Sequence, residues 1–241
     1  MNAFLDVHHH LLYGIDDGPI NRAEMERMLQ VAYMGGARTI IATPHIIPGV
    51  VPFSQEDIAQ KVRQAQKICQ AMALEIRILP GAEVLYSCQA SRYFAEQRIP
   101  TLAGTNKVLI EFAPKARLSE IENGVQSVLR SGYVPVLAHI ERYACIRRHP
   151  RAAVELKRRY DVQYQLNCGF LLDNNNPISR RAFCNLLKAR QIDYVASDAH
   201  NINDRSFRLH EAYDRLMQLV GQEQADELTG NHRSIADFFG K

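Results

Sequence analysis

The sequence predicts an α/β fold in which a seven-stranded, mostly parallel sheet closes into a barrel. Seven apolar, strand-like segments alternate with helical ones along 241 residues, a length at which a single barrel domain is common. Six of the seven strands end in His, Asp or Glu. A closed ring gathers such strand ends around one mouth, whereas an open doubly wound sheet offers mainly one crevice. We therefore predict one barrel domain over residues 1–241.

The first half of the chain supplies four of these strands. A strand near residues 3–8 precedes a helix that Asn21 caps, because an Asn side chain there accepts a backbone N–H of the first helical turn. Ser54 has the same role for the second helix, whose apolar residues recur at helical spacing. The remaining predicted elements are strands at Thr39–Ile41, Ile76–Leu79 and Lys107–Ile110 and a short helix at Gln89–Gln97.

The second half continues the alternation. Ser119 and Glu122 have the spacing of a capping box, which predicts a helix that starts there and stops at Gly132. Pro150 is predicted in the first turn of the next helix, where its missing N–H is harmless. The other predicted elements are strands at Val134–Leu137, Val162–Leu166 and Tyr194–Ala196, a helix over residues 179–190, a helix over Leu209–Val220 and two short helical pieces near the end.

The composition argues against nucleic-acid binding, secretion and membrane insertion. The net charge is only +3 and no long basic tract is present, so Arg147-Arg148 and Lys157–Arg159 are interpreted as solvated helix faces. No apolar run could span a bilayer, and the first residues lack the features of a signal peptide. Five cysteines without paired spacing indicate a reducing, cytoplasmic location, where they act in packing.

The strand ends carry the ligand types of a hydrolase metal centre. His8 and His10 lie two residues apart in a strand, so both point to one side and His9 to the other. Imidazole and carboxylate from separated segments, without thiolate, are typical of Mn, Fe or Zn hydrolases rather than of zinc fingers. The candidate ligands at the strand ends are His8, His10, His45, Glu83, Glu111, His139, Asp198 and His200.

Each of these signals has another explanation when it stands alone. A pair of histidines often satisfies only a buried hydrogen bond. Glu83 and Glu111 end apolar strands, where burial of an unpaired carboxylate is costly, so either a cation or an arginine would have to compensate for it. Separate explanations for all six strand ends require six coincidences, which favours one shared metal centre.

Seven short motifs contain these strand ends. They are His8-x-His10, Gly14–Pro19, Ala42–His45, Gly81–Glu83, Ile110–Phe112, Ala138–Arg142 and Ala196–Asn201. In this order, along nearly the whole chain, they resemble the polymerase-and-histidinol-phosphatase (PHP) superfamily. Within it, the Asp-Asp-Gly and His-Ile-Glu-Arg segments resemble the bacterial manganese-dependent tyrosine phosphatases of capsule and exopolysaccharide operons.

The resemblance implies a distorted, TIM-like barrel of seven strands that holds three divalent metal ions. Manganese is the expected metal, and iron, zinc and magnesium are alternatives. The implied ligands are His8, His10 and Asp198 for one ion, Glu83 as a bridge to a second ion held by Glu111 and His139, and Asp17, His45 and His200 for the third.

The resemblance also implies the reaction, the hydrolysis of phosphotyrosine on the tail of a membrane-associated autokinase that drives polysaccharide export. Arg142 and Arg205 match the family's two site arginines and would bind and stabilise the phosphoryl oxygens in a bidentate way; carboxylate pairing at the rim is their alternative role. Loops Ile46–Phe53 and Phe170–Pro177 could grip the peptide. The apolar residues of the first loop could equally pack on the barrel or on a partner.

Three alternatives can be separated. Another phosphoesterase of the superfamily, such as a histidinol phosphatase, would share the ligand set, whereas a non-catalytic assembly protein would not need a complete one. The spacing of Cys145 and Arg151 matches cysteine-dependent phosphatases, but the loop between them has no Gly and contains Pro150, which has no N–H to direct at phosphate. Cys184 and Arg190 repeat the spacing inside a predicted helix, so it carries little information.

Overall fold

The computed structural model describes residues 2–51, 53–173 and 176–239. Within these ranges the strands are β1 Phe4–His9, β2 Ala37–Ala42, β3 His45–Ile46, β4 Arg77–Pro80, β5 Glu83–Leu85, β6 Lys107–Glu111, β7 Val134–Leu137, β8 Gln163–Asn167 and β9 Tyr194–Ala196. The helices are α1 Arg22–Met34, α2 Gln55–Ala71, α3 Cys88–Ala95, α4 Leu118–Arg130, α5 Ala144–Arg148, α6 Arg151–Arg159, α7 Cys168–Asp173, α8 Pro177–Lys188, α9 Leu209–Val220, α10 Gln222–Thr229 and α11 Ile235–Phe239. Short 3-10 turns lie at Leu102–Gly104 and Ile140–Arg142.

The strand pairs of the described residues are parallel, as predicted for an α/β fold. One sheet has the order β1-β2-β4 and the other the order β3-β5-β6-β7-β8-β9. The end of β1 meets the segment after β9, because the His10 N–H donates to the Ala199 carbonyl and the Asp198 N–H to the His8 carbonyl, both at 2.9 Å. The parallel strands therefore curl around a common interior.

The predicted number of seven strands is not confirmed, since the described residues form nine. Thr43-Pro44 separates β2 from β3, and Gly81-Ala82 separates β4 from β5. Pro44 has no N–H for a ladder hydrogen bond, although its carbonyl accepts the Glu83 N–H at 3.0 Å. A Cβ at Gly81 would lie 2.7 Å from a side chain of β2, so this close approach requires glycine. Both breaks redirect the chain just before a strand that begins with a candidate ligand.

Alternating strand residues pack into two apolar layers. In β6, Leu109 belongs to an enclosed cluster, whereas Val108 and Ile110 belong to the larger core that includes the helices. This follows from the two-residue period of a strand with an apolar layer on each face. The enclosed cluster consists of Leu5, Val7, Ile41, Leu102, Leu109, Val136, Ala138, Tyr194, Ala196, Phe238 and Phe239.

Two predicted helix caps are confirmed and one is wrong. The side chains of Asn21 and Ser54 accept backbone N–H groups at 3.0 Å and 2.9 Å. The predicted capping box at Ser119 is wrong, because the residue that caps α4 lies two positions earlier. Arg117 precedes the helix, and its N–H donates to the Glu120 carboxylate at 2.6 Å. Glu120 thus fills the position three residues after the cap that had been given to Glu122.

Other boundaries shift by one or two residues, and two short helices were not predicted. α8 begins at Pro177 rather than at residue 179, because the Asn176 side chain accepts the first backbone N–H groups of that helix. α5 and α7 have five and six residues, too few to show a helical period in the sequence. No helix in residues 2–51, 53–173 or 176–239 has the length and apolar character needed to cross a membrane.

Candidate metal centre

β1 delivers two imidazoles to the end of the sheet. His8 and His10 lie two residues apart along the strand, so both side chains face the same side. The Nε2 atoms of His8 and His10 lie 3.1 Å apart. The ring of His9 instead lies 6.4 Å from the ring of Phe207, and burial lowers the pKa of His9 to about 3. His9 belongs to none of the ligand clusters found in the described residues.

The first ligand cluster contains His8, His10, Glu83 and Asp198, all of which are buried. Glu83 Oε2 lies 3.1 Å from His8 Nε2 and 3.2 Å from His10 Nε2. Asp198 Oδ1 lies 3.4 Å and 3.5 Å from the same two nitrogens. Four ligand atoms, from the end of β1, the start of β5 and the segment after β9, therefore lie within reach of one ion.

Glu83 also belongs to a second cluster, together with His45 and Glu111. His45 Nδ1 lies 3.2 Å from Glu83 Oε2 and 3.2 Å from Glu111 Oε1. His139 lies beside this cluster, with its Nε2 2.7 Å from Glu83 Oε1 and 3.5 Å from Glu111 Oε2. The Glu83 carboxylate thus faces two neighbouring groups of ligands.

The third cluster contains His10, Asp17, His45 and His200. Asp17 Oδ1 lies 3.2 Å from His200 Nε2 and 3.6 Å from His45 Nε2. The rings of His10 and His200 stack with centroids 3.7 Å apart. Because the Asp17 side chain is 57% exposed, this cluster is the most open of the three.

The structure brings all nine predicted ligands together at one end of the strands. The first cluster has the predicted composition, including Glu83 as the shared residue. The third cluster contains the predicted ligands Asp17, His45 and His200 and also His10. The second cluster contains the predicted carboxylates Glu83 and Glu111 and also His45. His139 contacts the second cluster without completing it. Metal binding by these residues stays a prediction, which their convergence makes chemically reasonable.

Three buried side-chain atoms of this centre, one of which is His139 Nδ1, lack the hydrogen bonds that their surroundings should supply. Glu83 Oε2 lies 3.1–3.2 Å from three imidazole nitrogens, but none of these contacts has the alignment of a hydrogen bond. His200 Nε2 also has no hydrogen-bond partner within the described residues. Buried polar atoms are rarely left unpaired. A divalent cation would accept the lone pairs of Glu83 Oε2 and His200 Nε2, so the residues present fit such an ion.

Three imidazoles are oriented through their second ring nitrogen. Such contacts fix the ring so that Nε2 is left for a cation, as at many metal sites of proteins. The Nδ1 contacts are those of His8 with Gln165 Oε1 at 3.1 Å, His10 with Asp16 Oδ2 at 2.7 Å and His200 with the Asp198 carbonyl at 2.9 Å.

Asp16, Gln165 and Asn167 are site residues that the sequence analysis did not assign. Asn167 Nδ2 donates to Asp198 Oδ2 at 2.7 Å, and Gln165 Oε1 also accepts the His139 N–H at 2.7 Å. The sequence does carry a signal, since Gln165 and Asn167 are polar residues in a buried strand and Asp16 stands in the Asp-Asp-Gly motif. The strand end without a charged ligand thus orients the ligands of its neighbours.

The charges at the centre depend strongly on one another. Burial alone would lower the pKa of His10, but the hydrogen-bonded Asp16 carboxylate and the nearby Glu83 carboxylate raise that pKa to about 9. The same opposition between burial and two carboxylates raises the pKa of His139 to about 9. Burial and the charge of His10 lower the pKa of His200 to about 4. Cation binding to His10 and His139 must therefore displace protons at neutral pH, whereas His200 is already neutral.

The backbone is strained at two residues of the centre. His139 has a φ of 33° and Asp198 a φ of 52°, in the left-handed region that side chains other than glycine rarely adopt. Strain of this kind persists where surrounding contacts hold it in place, and it is common at functional sites. Here it lies at the ends of β7 and β9, where the chain turns two candidate ligands toward the same centre.

The two predicted site arginines lie at the edge of the centre. Arg142 Nη2 lies 2.6 Å from Asp198 Oδ2. Arg205 contacts Asp17 Oδ2 at 3.1 Å and Asp198 Oδ1 at 3.3 Å. These contacts match the alternative role given to the arginines, carboxylate pairing at the rim. Their side chains are nevertheless 41% and 35% exposed, and both line a cavity of about 560 Å³ that reaches Asp198, so a ligand can contact them.

Some residues of the two predicted substrate loops pack against the core, and others line cavities. Ile46 is buried in the core and Phe53 packs on Tyr93, whereas Ile47 and Val51 line a cavity of about 300 Å³ next to the third cluster. In the second loop, Phe170 lines the larger cavity beside Asp198. Pro52 of the first loop and Asn174 and Asn175 of the second lie outside the described residues.

The cysteine-dependent mechanism finds no support in the structure. Cys145 lies in α5, and burial raises the pKa of its thiol, the opposite of what a nucleophilic thiolate requires. Cys184 lies in α8, as predicted.

Comparison with known proteins identifies the family. The model of the family described as "Capsular polysaccharide synthesis, CpsB/CapC" matches residues 4–235. The chain belongs to the CpsB/CapC family. The tyrosine-protein phosphatase CpsB of Streptococcus pneumoniae is 31% identical over 237 residues, which cover 96% of this chain and 97% of CpsB. The tyrosine-protein phosphatase YwqE of Bacillus subtilis is 31% identical over 227 residues, covering 94% and 89%.

Solved structures of CpsB/CapC proteins agree with this assignment. A structure from a study of B. subtilis YwqE and S. pneumoniae CpsB, described there as unique metal-dependent tyrosine phosphatases, matches with a TM-score of 0.85 and 30% identity. That match covers 93% of this chain and 90% of the solved one. The hisK protein of Listeria monocytogenes matches with a TM-score of 0.52 and 12% identity, which shows a shared fold only. The predicted family is therefore confirmed.

Proposed function

We propose that this chain is a metal-dependent protein-tyrosine phosphatase that acts in capsular polysaccharide synthesis. The names of its relatives confirm the predicted enzyme class over a histidinol phosphatase, which the shared fold alone would have left open. The structural observation that carries the proposal is the Glu83 carboxylate. Its Oε2 is buried near three imidazole nitrogens without an aligned hydrogen bond, while Arg142 and Arg205 contact the neighbouring Asp198 from a cavity that a phosphate ester can enter.

The proposed cofactor is a set of three divalent ions, with manganese as the expected metal. The residues of the first cluster would hold one ion, the second cluster with His139 another, and the third cluster the last. When bound, divalent cations neutralise the charge of a phosphate monoester and supply a nucleophile at neutral pH. The imidazole and carboxylate ligands, without thiolate, suit Mn, Fe or Zn, and the carboxylates also suit Mg.

The residues of the chain would bind and orient the ester. Arg142 and Arg205 would direct their guanidinium groups at the phosphoryl oxygens, in forked contacts that a lysine cannot make. The cavity of about 560 Å³ beside Asp198 would hold the tyrosyl ring, with Phe170 on its wall. A phenolate leaves without strong acid assistance, since its pKa is about 10.

The same proposal extends to the setting of the enzyme. The substrate would be the phosphorylated tail of a tyrosine autokinase of capsule synthesis, in the cytoplasm, where five free thiols stay reduced. The two curled sheets would form one distorted barrel of seven strand positions, in which β2 and β3 share one position and β4 and β5 another. Residues 1–241 would form one domain.

The direct test is restoration of activity to metal-stripped protein. A phosphotyrosyl peptide and histidinol phosphate are compared as substrates after chelation and after addition of Mn²⁺. We expect no hydrolysis without metal and hydrolysis mainly of the phosphotyrosyl peptide with it. Full activity in the chelated protein, or preference for histidinol phosphate, would contradict the proposal.

A further inference from the structure

A second cavity, of about 490 Å³, adjoins the one beside Asp198. The two cavities share Arg142 and Arg147 as lining residues. Among the described residues that line the second cavity, none is a carboxylate. Its cationic residues, which define the cationic cavity, are Lys115, Arg117, Arg142, Arg147 and Arg148.

Backbone hydrogen bonds fix the two walls of the cationic cavity. One wall is the segment over residues 112–117 that connects β6 to α4, and the other is α5. The Ala144 N–H at the start of α5 donates to the Pro114 carbonyl at 2.9 Å, and the Phe112 N–H donates to the buried Tyr143 hydroxyl at 3.3 Å. The side chains of the cavity therefore stand on a fixed frame, which is favourable for ligand binding.

Most of the positive charge in this cavity is not balanced by the chain. Arg142 pairs with Asp198, and Arg117 lies 3.4 Å from Glu120 on the exposed start of α4. Lys115, Arg147 and Arg148 form no ion pair with any carboxylate of the described residues. Arg147 and Arg148 are exposed, as predicted for a solvated helix face, but they also face a concave surface that concentrates their potential.

We propose that the cationic cavity is a second anion-binding subsite, which binds a phosphate or carboxylate on the peptide that flanks the phosphotyrosine. The inference rests on the proposed function, because the shared wall of Arg142 and Arg147 places this cavity next to the one assigned to the phosphotyrosine. A second phosphate would offer three acceptor oxygens and nearly two charges to the arginines, and a Glu or Asp side chain would offer one charge.

The test uses three phosphotyrosyl peptides that differ only in their flanks: neutral, glutamate-containing and phosphoserine-containing. Their kcat/KM values are measured with Mn²⁺-loaded wild type and with the double variant Lys115→Gln/Arg148→Gln. The matched control, Lys67→Gln/Arg130→Gln, removes the same charges from exposed positions of α2 and α4 outside both cavities. Arg130 lies at the far end of α4, about 18 Å along the helix from its start.

We expect wild type and control to favour the anionic flanks over the neutral one by about tenfold at low salt, an advantage that high salt reduces. The subsite variant should lose this preference and keep its kcat/KM for the neutral peptide. A larger gain with phosphoserine than with glutamate assigns the subsite to a second phosphorylated residue, and equal gains assign it to acidic flanks. Equal kcat/KM for all three peptides in wild type, or an unchanged preference in the variant, overturns the inference.

A binding measurement separates failure of the subsite from failure of the proposed function. Peptides with a non-hydrolysable phosphotyrosine analogue and the same flanks are titrated into each protein by calorimetry. If wild type hydrolyses none of the peptides, the proposed function falls, and the subsite is then judged by whether tighter binding of the anionic flanks requires Lys115 and Arg148. If wild type hydrolyses all three equally and binds them equally, only the subsite falls.

Discussion

At the start of β9, the rings of Tyr194, Phe238 and Phe239 pack together with centroids 5.2–5.7 Å apart. Beyond the other end of the same strand, Asp198 and its neighbours crowd imidazoles and carboxylates into a buried space in which Glu83 Oε2 has no aligned hydrogen bond. Apolar contacts stabilise the first end without any ligand. The second end has the opposite property, because its charges need an added cation to be satisfied.

This contrast predicts that substitutions at the two ends of β9 affect different properties of the protein. Substitutions at the aromatic end should reduce the free energy of unfolding and leave catalysis in the folded protein intact. Substitutions at the metal centre should abolish metal binding and catalysis, and they should reduce stability more in the metal-bound protein than in the metal-free protein, because bound cations stabilise the folded state.

The largest effect is expected for Glu83→Gln, which removes the carboxylate shared by two clusters. We expect kcat/KM on a phosphotyrosyl peptide to fall by about 10³-fold or more, because the charge that holds neighbouring cations is lost. Metal content by mass spectrometry should fall in parallel. The unfolding temperature should fall more in the metal-loaded protein than in the chelated protein, because only the metal-loaded protein loses bound cations. Normal activity of this variant would contradict the role of Glu83 as the carboxylate that two ligand clusters share.

Arg142→Ala should lower kcat/KM by about 10²-fold, through loss of a donor to the phosphoryl group. Arg142→Lys should recover little of this, because an ammonium cannot make the forked contact of a guanidinium. The kinetic measurement needs metal content alongside it, since Arg142 also contacts Asp198. Full rescue by lysine would reduce the arginine to a general positive charge.

Gln165→Leu tests whether the uncharged strand end supports the ligands. This side chain contacts His8 Nδ1 and accepts the His139 N–H, so its loss should weaken Mn²⁺ affinity by about 10- to 100-fold. Titration of the chelated protein with Mn²⁺ measures the change. An unaltered affinity would show that Gln165 does not support the ligands and that Mn²⁺ binding depends on the direct ligands alone.

Phe238→Ala probes the opposite end. Loss of a buried ring should reduce the free energy of unfolding by about 3 kcal/mol, as measured by chemical denaturation. We expect kcat/KM per folded molecule to stay within about twofold of wild type, because large catalytic losses come from groups that contact the reacting atoms. A catalytic loss as large as that of Arg142→Ala would show that the two ends are coupled.

Cys145→Ser should have the smallest effect, with activity close to that of wild type. The thiol lies in α5, burial raises its pKa, and Cys145 belongs to none of the ligand clusters found in the described residues. Cys184→Ser serves as the matched control, because this cysteine also lies in a helix and has the same spacing to an arginine. Selective inactivation by Cys145→Ser would favour the cysteine-dependent mechanism.

The sequence predicts the strand ends better than the contacts around them. Apolar runs that stop at His45, Glu83 or His139 are visible in the chain, and their convergence follows from parallel strands. The breaks before β3 and β5 are not visible, because Gly81 is needed only where a neighbouring strand approaches closely. Local caps such as Asn21 are predictable since donor and acceptor lie three residues apart.

The partners of Gln165 and Asp16 could not be predicted, because their contacts are not part of a local sequence pattern. Gln165 contacts His8 across 157 positions of sequence, and no local pattern records such a pair. The cationic cavity is similar, because it combines a loop after β6 with a separate helix. Sequence reasoning identified Arg147 and Arg148 as exposed charges, and only the fold places them beside Lys115.

Anomalous diffraction from crystals grown with Mn²⁺ tests most directly whether cations bind around Glu83. We predict anomalous peaks within coordination distance of the Glu83 carboxylate, with His10 or His45 as neighbouring ligands and with loss of the peaks in Glu83→Gln. Fully active protein whose crystals show no such peak near Glu83 would contradict the account.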